Sequence, residues 1–186
     1  MQQRDLVERA RKGDHDAFSV LARAAFPRLD ATARLIIRDR EAAQDAVQEA
    51  LMRTWHDLPD LRDPDRFDAW LYRILVNACY RELRRHRRWS MEVGLDPLID
   101  LPVADGSAAL AERDAIERGF RRLDPEQRAV VVLNLYLGLS IPETADILAI
   151  PQGTAKSRLH RALSRLRAAL DADARTSKLL VQERTP

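Results

Sequence analysis

Apolar positions in this 186-residue chain recur every three or four residues and nowhere alternate with polar ones over the length of a strand. That period predicts an all-α protein. Leu6 to Arg11 reads as a short first helix that stops at Gly13. Asp14 is placed to cap a second helix running to about Ile37, with Phe18, Leu21, Ala25 and Leu29 on one side. Pro27 falls inside it and is expected to kink or split it, because proline removes a helical donor and clashes with the preceding turn. Asp39 can cap a third helix, about Arg40 to Leu58, whose inner face centres on Val47 with Ala43, Ala50, Leu51 and Thr54 beside it. After a loop, Pro59 to Asp65, a long fourth helix is expected from about Arg66 to Arg88, with Phe67, Leu71, Ile74 and Ala78 facing inward.

The period lapses between Trp89 and Ala108, where Gly94, Pro97, Pro102 and Gly106 punctuate the chain, and resumes near Leu110. Further on, Asp124-Pro125-Glu126-Gln127 and Ser140-Ile141-Pro142-Glu143 each carry the signature of a capped helix start. The expected organisation is two small helical domains, 1–88 and 110–172, joined by a flexible acidic linker over 89–109, with a flexible tail over 173–186.

Charge sharpens the picture through its distribution. The formal net charge is only +2, yet Arg81 to Arg88 holds five arginines and Lys156 to Arg167 is also basic. Trp89 to Leu110 between them contains Glu92, Asp96, Asp100 and Asp105 and no Lys or Arg. The single cysteine, Cys79, excludes an internal disulfide and a cysteine-based metal cage. Met1 to Arg11 is polar, unlike a secretory signal. The longest apolar run, Ala129 to Ile141, is interrupted by Asn134 and falls short of the roughly 20 residues that span a bilayer. A cytoplasmic protein without membrane insertion is expected.

Candidate chemistry concentrates in two places. The first is Gly138 to Arg167, which reads as two helices joined by a tight turn at Ala149–Gly153. With Leu159 at the centre of the last helix's buried face, Ala155, Ala162, Leu163, Leu166 and Leu170 join it. Thr154, Ser157, Arg161, Ser164 and Arg165 lie opposite, flanked by Lys156, Arg158 and His160. Polar residues near the start of such a helix suit base edges in a major groove. Arg161 is the candidate for guanine, and Gln152, Arg158 and Arg165 suit phosphates. A solvated basic face on a structural helix is the plain alternative.

The second place is the N-terminal half. Asp45, Gln48, Glu49, Met52 and His56 form an acidic strip with an exposed methionine on the third helix, fit to dock on a basic protein or simply to be solvated. On the fourth helix a stripe of Arg66, Arg73, Asn77, Tyr80 and Arg84, bordered by Trp70, interleaves cations with rings. Cations follow phosphates and rings stack on bases, so the pattern suits unpaired nucleic acid; the alternative is that Trp70 is core and the arginines only solubilise.

Three segments, DAVQEALMRTW (Asp45–Trp55), FDAWLYRILVNACYRELRR (Phe67–Arg85) and LDPEQRAVVVLNLYLGLSIPETADILAIPQGTAKSRLHRAL (Leu123–Leu163), resemble in order and spacing the extracytoplasmic-function group of bacterial sigma factors. The resemblance covers about four fifths of the chain. It implies a sigma-2-like helical bundle followed by a sigma-4-like helix-turn-helix domain, and a subunit that directs core RNA polymerase to promoters and helps melt the minus-ten element. Asp45, Gln48, Glu49 and Met52 would then meet the beta-prime clamp. Leu61, Arg62, Asp63 and Arg66 would belong to a loop that captures a flipped base. Trp70, Tyr72, Arg73, Asn77, Tyr80 and Arg84 would hold the melted strand. Gln152, Thr154, Lys156, Ser157, Arg158, His160, Arg161 and Arg165 would meet the minus-thirty-five element, while the same domain contacts the beta flap. The acidic linker would thread toward the RNA exit path. An anti-sigma factor is the implied regulator, and no cofactor or metal is implied. Ala149 stands where the family's turn often has glycine.

Two other functions fit parts of the pattern. An autonomous helix-turn-helix regulator would need an effector or dimerisation domain, and the N-terminal helices show neither a pocket signature nor a heptad seam. An enzyme on nucleic acid would have to use His15 between Asp14 and Asp16, or His56 beside Asp57. Each cluster lies at a helix end where capping explains the acids, and no nucleophile motif or phosphate-cradling loop accompanies them.

Overall fold

The computed structural model describes residues 3–93 and 116–182. Most of the expected linker and the last four residues of the expected tail lie outside the described residues. Those described form an all-helical protein without strands: α1 (Gln3–Arg11), α2 (His15–Ile37), α3 (Arg40–Asp57), α4 (Phe67–Val93), α5 (116–121), α6 (Pro125–Val131), α7 (Ile141–Leu148) and α8 (Gln152–Gln182).

The predicted caps position these helices. The Asp14 carboxylate accepts from the Ala17 N–H at 3.0 Å, and Asp39 from the Ala42 N–H at 2.8 Å. Hydrogen bonds from the Ala17 N–H and the Arg9 side chain hold the Asp14 carboxyl below its ordinary value. α2 runs unsplit through Pro27, against expectation. Pro27 and Arg23, whose carbonyl loses its helical donor, both face solvent, where water can satisfy that carbonyl. Between α3 and α4 the expected loop is two 3-10 turns, Leu58–Asp60 and Pro64–Arg66. They are pinned by Leu58, Leu61, Pro64 and Phe67, all buried.

In the C-terminal half, both capping boxes form. Gln127 Oε1 accepts from the Asp124 N–H at 3.3 Å, and Glu143 Oε2 from the Ser140 N–H at 2.8 Å. α6 continues into a π-helical turn, Val132–Tyr136, closed by the Leu137 N–H donating to the Val132 carbonyl. Asn134 ties that turn to the Leu139 carbonyl at 2.7 Å, and Gly138, at φ +72°, reverses the chain toward the Ser140 cap. The turn between α7 and α8 is tighter than expected: α8 begins at Gln152, so Gly153 lies in its first turn. Two helices outrun their expected ends. α4 continues to Val93, into the segment read as linker, and α8 to Gln182. No glycine or proline follows Asp171 until Pro186, so nothing in the sequence stops α8 earlier.

α1 to α4 pack as a bundle, with α3 between α2 and α4. Val47, Ala43, Ala50 and Thr54 are buried as expected, and so are Phe67, Leu71, Ile74 and Ala78. In the second half α6 and α7 pack on α8, where Ala155, Ala162 and Ala169 are buried. The two halves share a core. Ala129, Val132, Leu133 and Ile147 belong to the same apolar cluster as the N-terminal helices, with α7 against α4 and α6 against α2. Leu123, Val131 and Ala162 form a second, smaller cluster beneath α8.

Ala149 ends α7 in the left-handed conformation, φ +53° and ψ +45°, with the Ile150 N–H donating to the Ala145 carbonyl at 3.0 Å. A side chain with a Cβ costs roughly 1–2 kcal/mol in that conformation. Ala149→Gly is expected to stabilise the protein by about 1 kcal/mol and to raise its Tm by about 2–4 °C. Thermal melting followed by circular dichroism checks this; an unchanged or lower Tm would contradict the left-handed turn.

Candidate nucleic-acid interface

α8 meets α7 through the turn at Ala149, in helix-turn-helix order, and its first turns present the predicted outer face. Gln152, Lys156, Ser157, His160, Arg161 and Arg165 are exposed, and Thr154 is partly so. Ser157 Oγ donates to the Thr154 carbonyl at 3.0 Å, and Arg161 Nε to the Ser157 carbonyl at 3.3 Å, so these groups rest on their own helix while facing outward. Two of the predicted phosphate contacts are differently employed. Arg158 pairs with Glu126 at 2.7 Å and is largely covered; Arg165 donates to Asp124 at 3.0 Å and to Gln127 at 2.9 Å. Both tie α8 to the first turn of α6, which fixes the angle at which α8 is presented. Lys156 and Arg161 remain the outward cations near the helix start.

The expected stripe on α4 divides in two. Arg73 and Asn77 are exposed and Trp70 is half-buried, and together with Arg53, Asp57 and Arg81 they line an open groove between α3 and α4 of about 220 Å³. That is smaller than the roughly 300–1,000 Å³ typical of small-molecule sites, and its walls are a ring, an amide and guanidinium groups. Hydrogen bonds from His56 and Arg53 hold the Asp57 carboxyl below its ordinary value. Arg53 and Asp57 pair at 3.3 Å across one turn. Arg53 and Arg81 were not among the predicted contacts. Arg81 stands four residues past Asn77, a spacing visible in the sequence, but the pairing of α3 with α4 that brings Arg53 there is not.

Tyr72 and Tyr80 go elsewhere. Counted at 100° per residue, Tyr72, Val76 and Leu83 centre about a third of a turn from the groove, and Tyr80 borders both faces. This second face lies under the C-terminal half. Burial raises the phenols of both tyrosines above their ordinary value, Tyr80 strongly. Glu126 raises the Tyr80 phenol further and Arg158 lowers it, and its hydroxyl is buried without a hydrogen-bond partner among the described residues. Arg84 is exposed at the far end of α4.

In the connecting loop, Leu61 is a correction to the expected interface. It is 7% exposed and belongs to the apolar core, so its side chain anchors the loop instead of lining the interface. Arg62 and Asp63 are exposed, and Asp63 accepts from the Asp65 N–H at 3.0 Å. Arg66, also exposed, pairs with Asp146 of α7 at 3.2 Å.

On α3, Asp45, Gln48 and Met52 are exposed and Glu49 is half-buried. The acidic strip is not free of cations: Arg85 pairs with Asp45 at 3.2 Å and Arg81 with Glu49 at 2.8 Å. Met52, at 61% exposure, is the most exposed large apolar residue among those described. Around the edge, the Trp55 ring lies between His15, at a centroid distance of 4.3 Å, and Phe18 at 5.0 Å, an aromatic cluster that the sequence did not single out. Cys79 is sealed in the core, and its thiol is pushed up to about 12 by burial, which keeps it unreactive. Among the described residues no cluster of three metal-ligating side chains forms and no helix is long and apolar enough to cross a membrane.

Comparison with known proteins converges on one family. Residues 21–89 match the model of sigma-70 region 2, and residues 113–166 that of sigma-70, region 4. The chain is 40% identical over 155 residues to the ECF RNA polymerase sigma factor SigM of Mycobacterium tuberculosis, covering 83% of this chain and 77% of that one. It is 34% identical to the RNA polymerase sigma factor CnrH of Cupriavidus metallidurans, covering 91% and 95% of the two chains. The structure of CnrH in complex with the cytosolic domain of CnrY superposes with a TM-score of 0.69 at 31% identity, over 92% of this chain and 98% of that one. The sigma factor RpoE of Bartonella quintana, solved with the anti-sigma factor NepR, gives 0.66 at 28% identity, over 84% and 98%. With two linked regions matched in order and relatives this similar over most of its length, the chain belongs to the extracytoplasmic-function group of the sigma-70 family of RNA polymerase sigma factors.

Proposed function

We propose that this sigma factor directs core RNA polymerase to its promoters through two separate DNA contacts and opens the downstream one by holding an unpaired strand. The observation that carries the reading is the pairing, on one chain, of two chemically different faces. The start of α8 offers Lys156, Ser157, His160 and Arg161 to a duplex groove. The groove on α4 offers Trp70, Arg73 and Asn77, a set suited to a single base and its phosphates. Arg62 and Asp63, held out by the buried Leu61, are the candidates for reading a base turned out of the stack. Thr154 and Gln152 support the upstream contact, with Arg158 and Arg165 acting through their hold on α6.

The strip of Asp45, Gln48, Glu49 and Met52 is assigned to the polymerase beta-prime clamp, with Arg81 and Arg85 as the cations displaced on docking. Leu135 and Tyr136, 57% and 53% exposed on the π-helical turn, suit the beta flap. An anti-sigma protein is the expected regulator, as NepR is described for the Bartonella protein. The protein acts in the cytoplasm, as a binding subunit and not as a catalyst.

Incubating the purified protein with core polymerase and a pool of genomic fragments should yield discrete transcripts whose mapped 5′ ends share two upstream sequence blocks. Tight duplex binding without polymerase, and no defined start sites with it, would favour an autonomous regulator. Arg161→Ala is expected to lower discrimination at one position of the upstream block by about 1–3 kcal/mol while leaving polymerase affinity unchanged. Loss of polymerase binding would show that the exposed face of α8 is misassigned. Asp45→Arg combined with Glu49→Arg should weaken polymerase binding at least tenfold in a measurement without DNA, through like-charge repulsion at a basic partner. Undiminished affinity would leave the strip as ordinary solvated surface.

A further inference from the structure

α1 packs against both 3-10 turns of the loop that carries Arg62 and Asp63. Its inner face is fixed by the burial of Leu6, Val7 and Ala10. Its first turn reaches the loop and the start of α4, both distant in sequence. Arg4 Nη1 donates to Asp65 Oδ2 at 2.6 Å, and Gln3 Nε2 to Asp68 Oδ1 at 2.7 Å. Glu8, one turn further along α1, accepts from Arg4 Nε at 3.2 Å and so steers the guanidinium toward Asp65.

Asp65 passes this hold to the tip of the loop. Its N–H donates to Asp63 Oδ1 at 3.0 Å, and the Arg66 N–H donates to the Asp63 carbonyl at 3.1 Å. The buried Leu61 and Pro64 fix where the tip sits, but neither fixes how the Asp63 carboxylate points. Asp65 does. With Oδ1 engaged, Oδ2 has a set direction in which to accept from a base amine.

We infer that α1 is a brace for base reading: Arg4, through Asp65, is a positioning residue that orients Asp63 toward the base it meets. The inference rests on the role proposed above for Arg62 and Asp63. Arg4 and Asp65 are 55% and 60% exposed, so their pair adds little to the stability of the fold. Its effect is on orientation. A carboxylate already aimed has less freedom to lose when a base arrives, and selective contacts need their groups held within about 0.5 Å of the productive position. Removing the brace therefore costs discrimination between bases more than it costs stability.

Holoenzyme assembled from the full chain and core polymerase tests this on a promoter pool randomised one position at a time across the downstream block. Arg62→Ala and Asp63→Ala first identify the position read by the loop tip, as the one whose base preference they change. At that position Arg4→Asp and Asp65→Arg should each lower the ratio of transcripts from the best and worst bases about threefold or more. Exchanging the charges, Arg4→Asp together with Asp65→Arg, should restore most of that ratio. Preferences at the other positions should hold, and the Tm should move by at most about 2–4 °C. An unchanged ratio in both single variants, or losses that add in the double variant, would overturn the brace. A loss spread evenly over the block would overturn it too, as a general weakening of the domain. If Arg62→Ala and Asp63→Ala alter the preference at no position, the base-reading role of the tip itself fails, and the brace with it.

Discussion

Five consecutive residues, Ala129 to Leu133, are apolar and buried, so the helix they form has no side that can face water. Such a helix needs cover all round. α8 supplies part of it, through the cluster of Leu123, Val131 and Ala162, and the N-terminal core supplies the rest around Ala129, Val132 and Leu133. The mutual position of the two halves follows from this double requirement. So does the direction of α8, which presents its outer face away from the side that packs on α6. The burial of Tyr80 is a further result, because the cover for one half is α4 of the other.

Within the C-terminal half, cations divide by what stands opposite them. Arg158 and Arg165 meet the acids and amide at the start of α6, Glu126, Asp124 and Gln127, and become struts. Among the described residues Lys156 and Arg161 have no acid paired with them, and they project outward. The same rule operates on α3 and α4, where Arg81 and Arg85 bridge to Glu49 and Asp45 while Arg73 faces the open groove. A basic composition thus yields a few outward cations at set positions, and the two proposed DNA faces rest on those positions.

The helices and the helix-turn-helix were legible because their signals are local. Amphipathic period, Asp14, Asp39 and the two capping boxes act within one or two turns, and each forms as read. The misreadings are of tertiary origin or lack a signal. A helical wheel places Tyr80 beside Arg73, and only the arrival of the C-terminal half separates them. Leu61 reads as a loop residue until the two 3-10 turns rotate it inward. Pro27 escapes its usual effect because the carbonyl it orphans is at the surface. The extension of α8 reflects the lack of any breaker, an absence easily mistaken for fraying.

The anchoring of the loop between α3 and α4 has a consequence for how such proteins diversify. Leu58, Leu61, Pro64 and Phe67 nail the segment to the core, whereas Arg62 and Asp63 stand outside it. Burying a leucine contributes about 1.5–3 kcal/mol, so the scaffold tolerates exchange of the two outer side chains with little loss. Under the role proposed for that tip, a duplicated copy of this chain acquires a taste for a different base by changing two side chains, while the frame beneath them stays as it is.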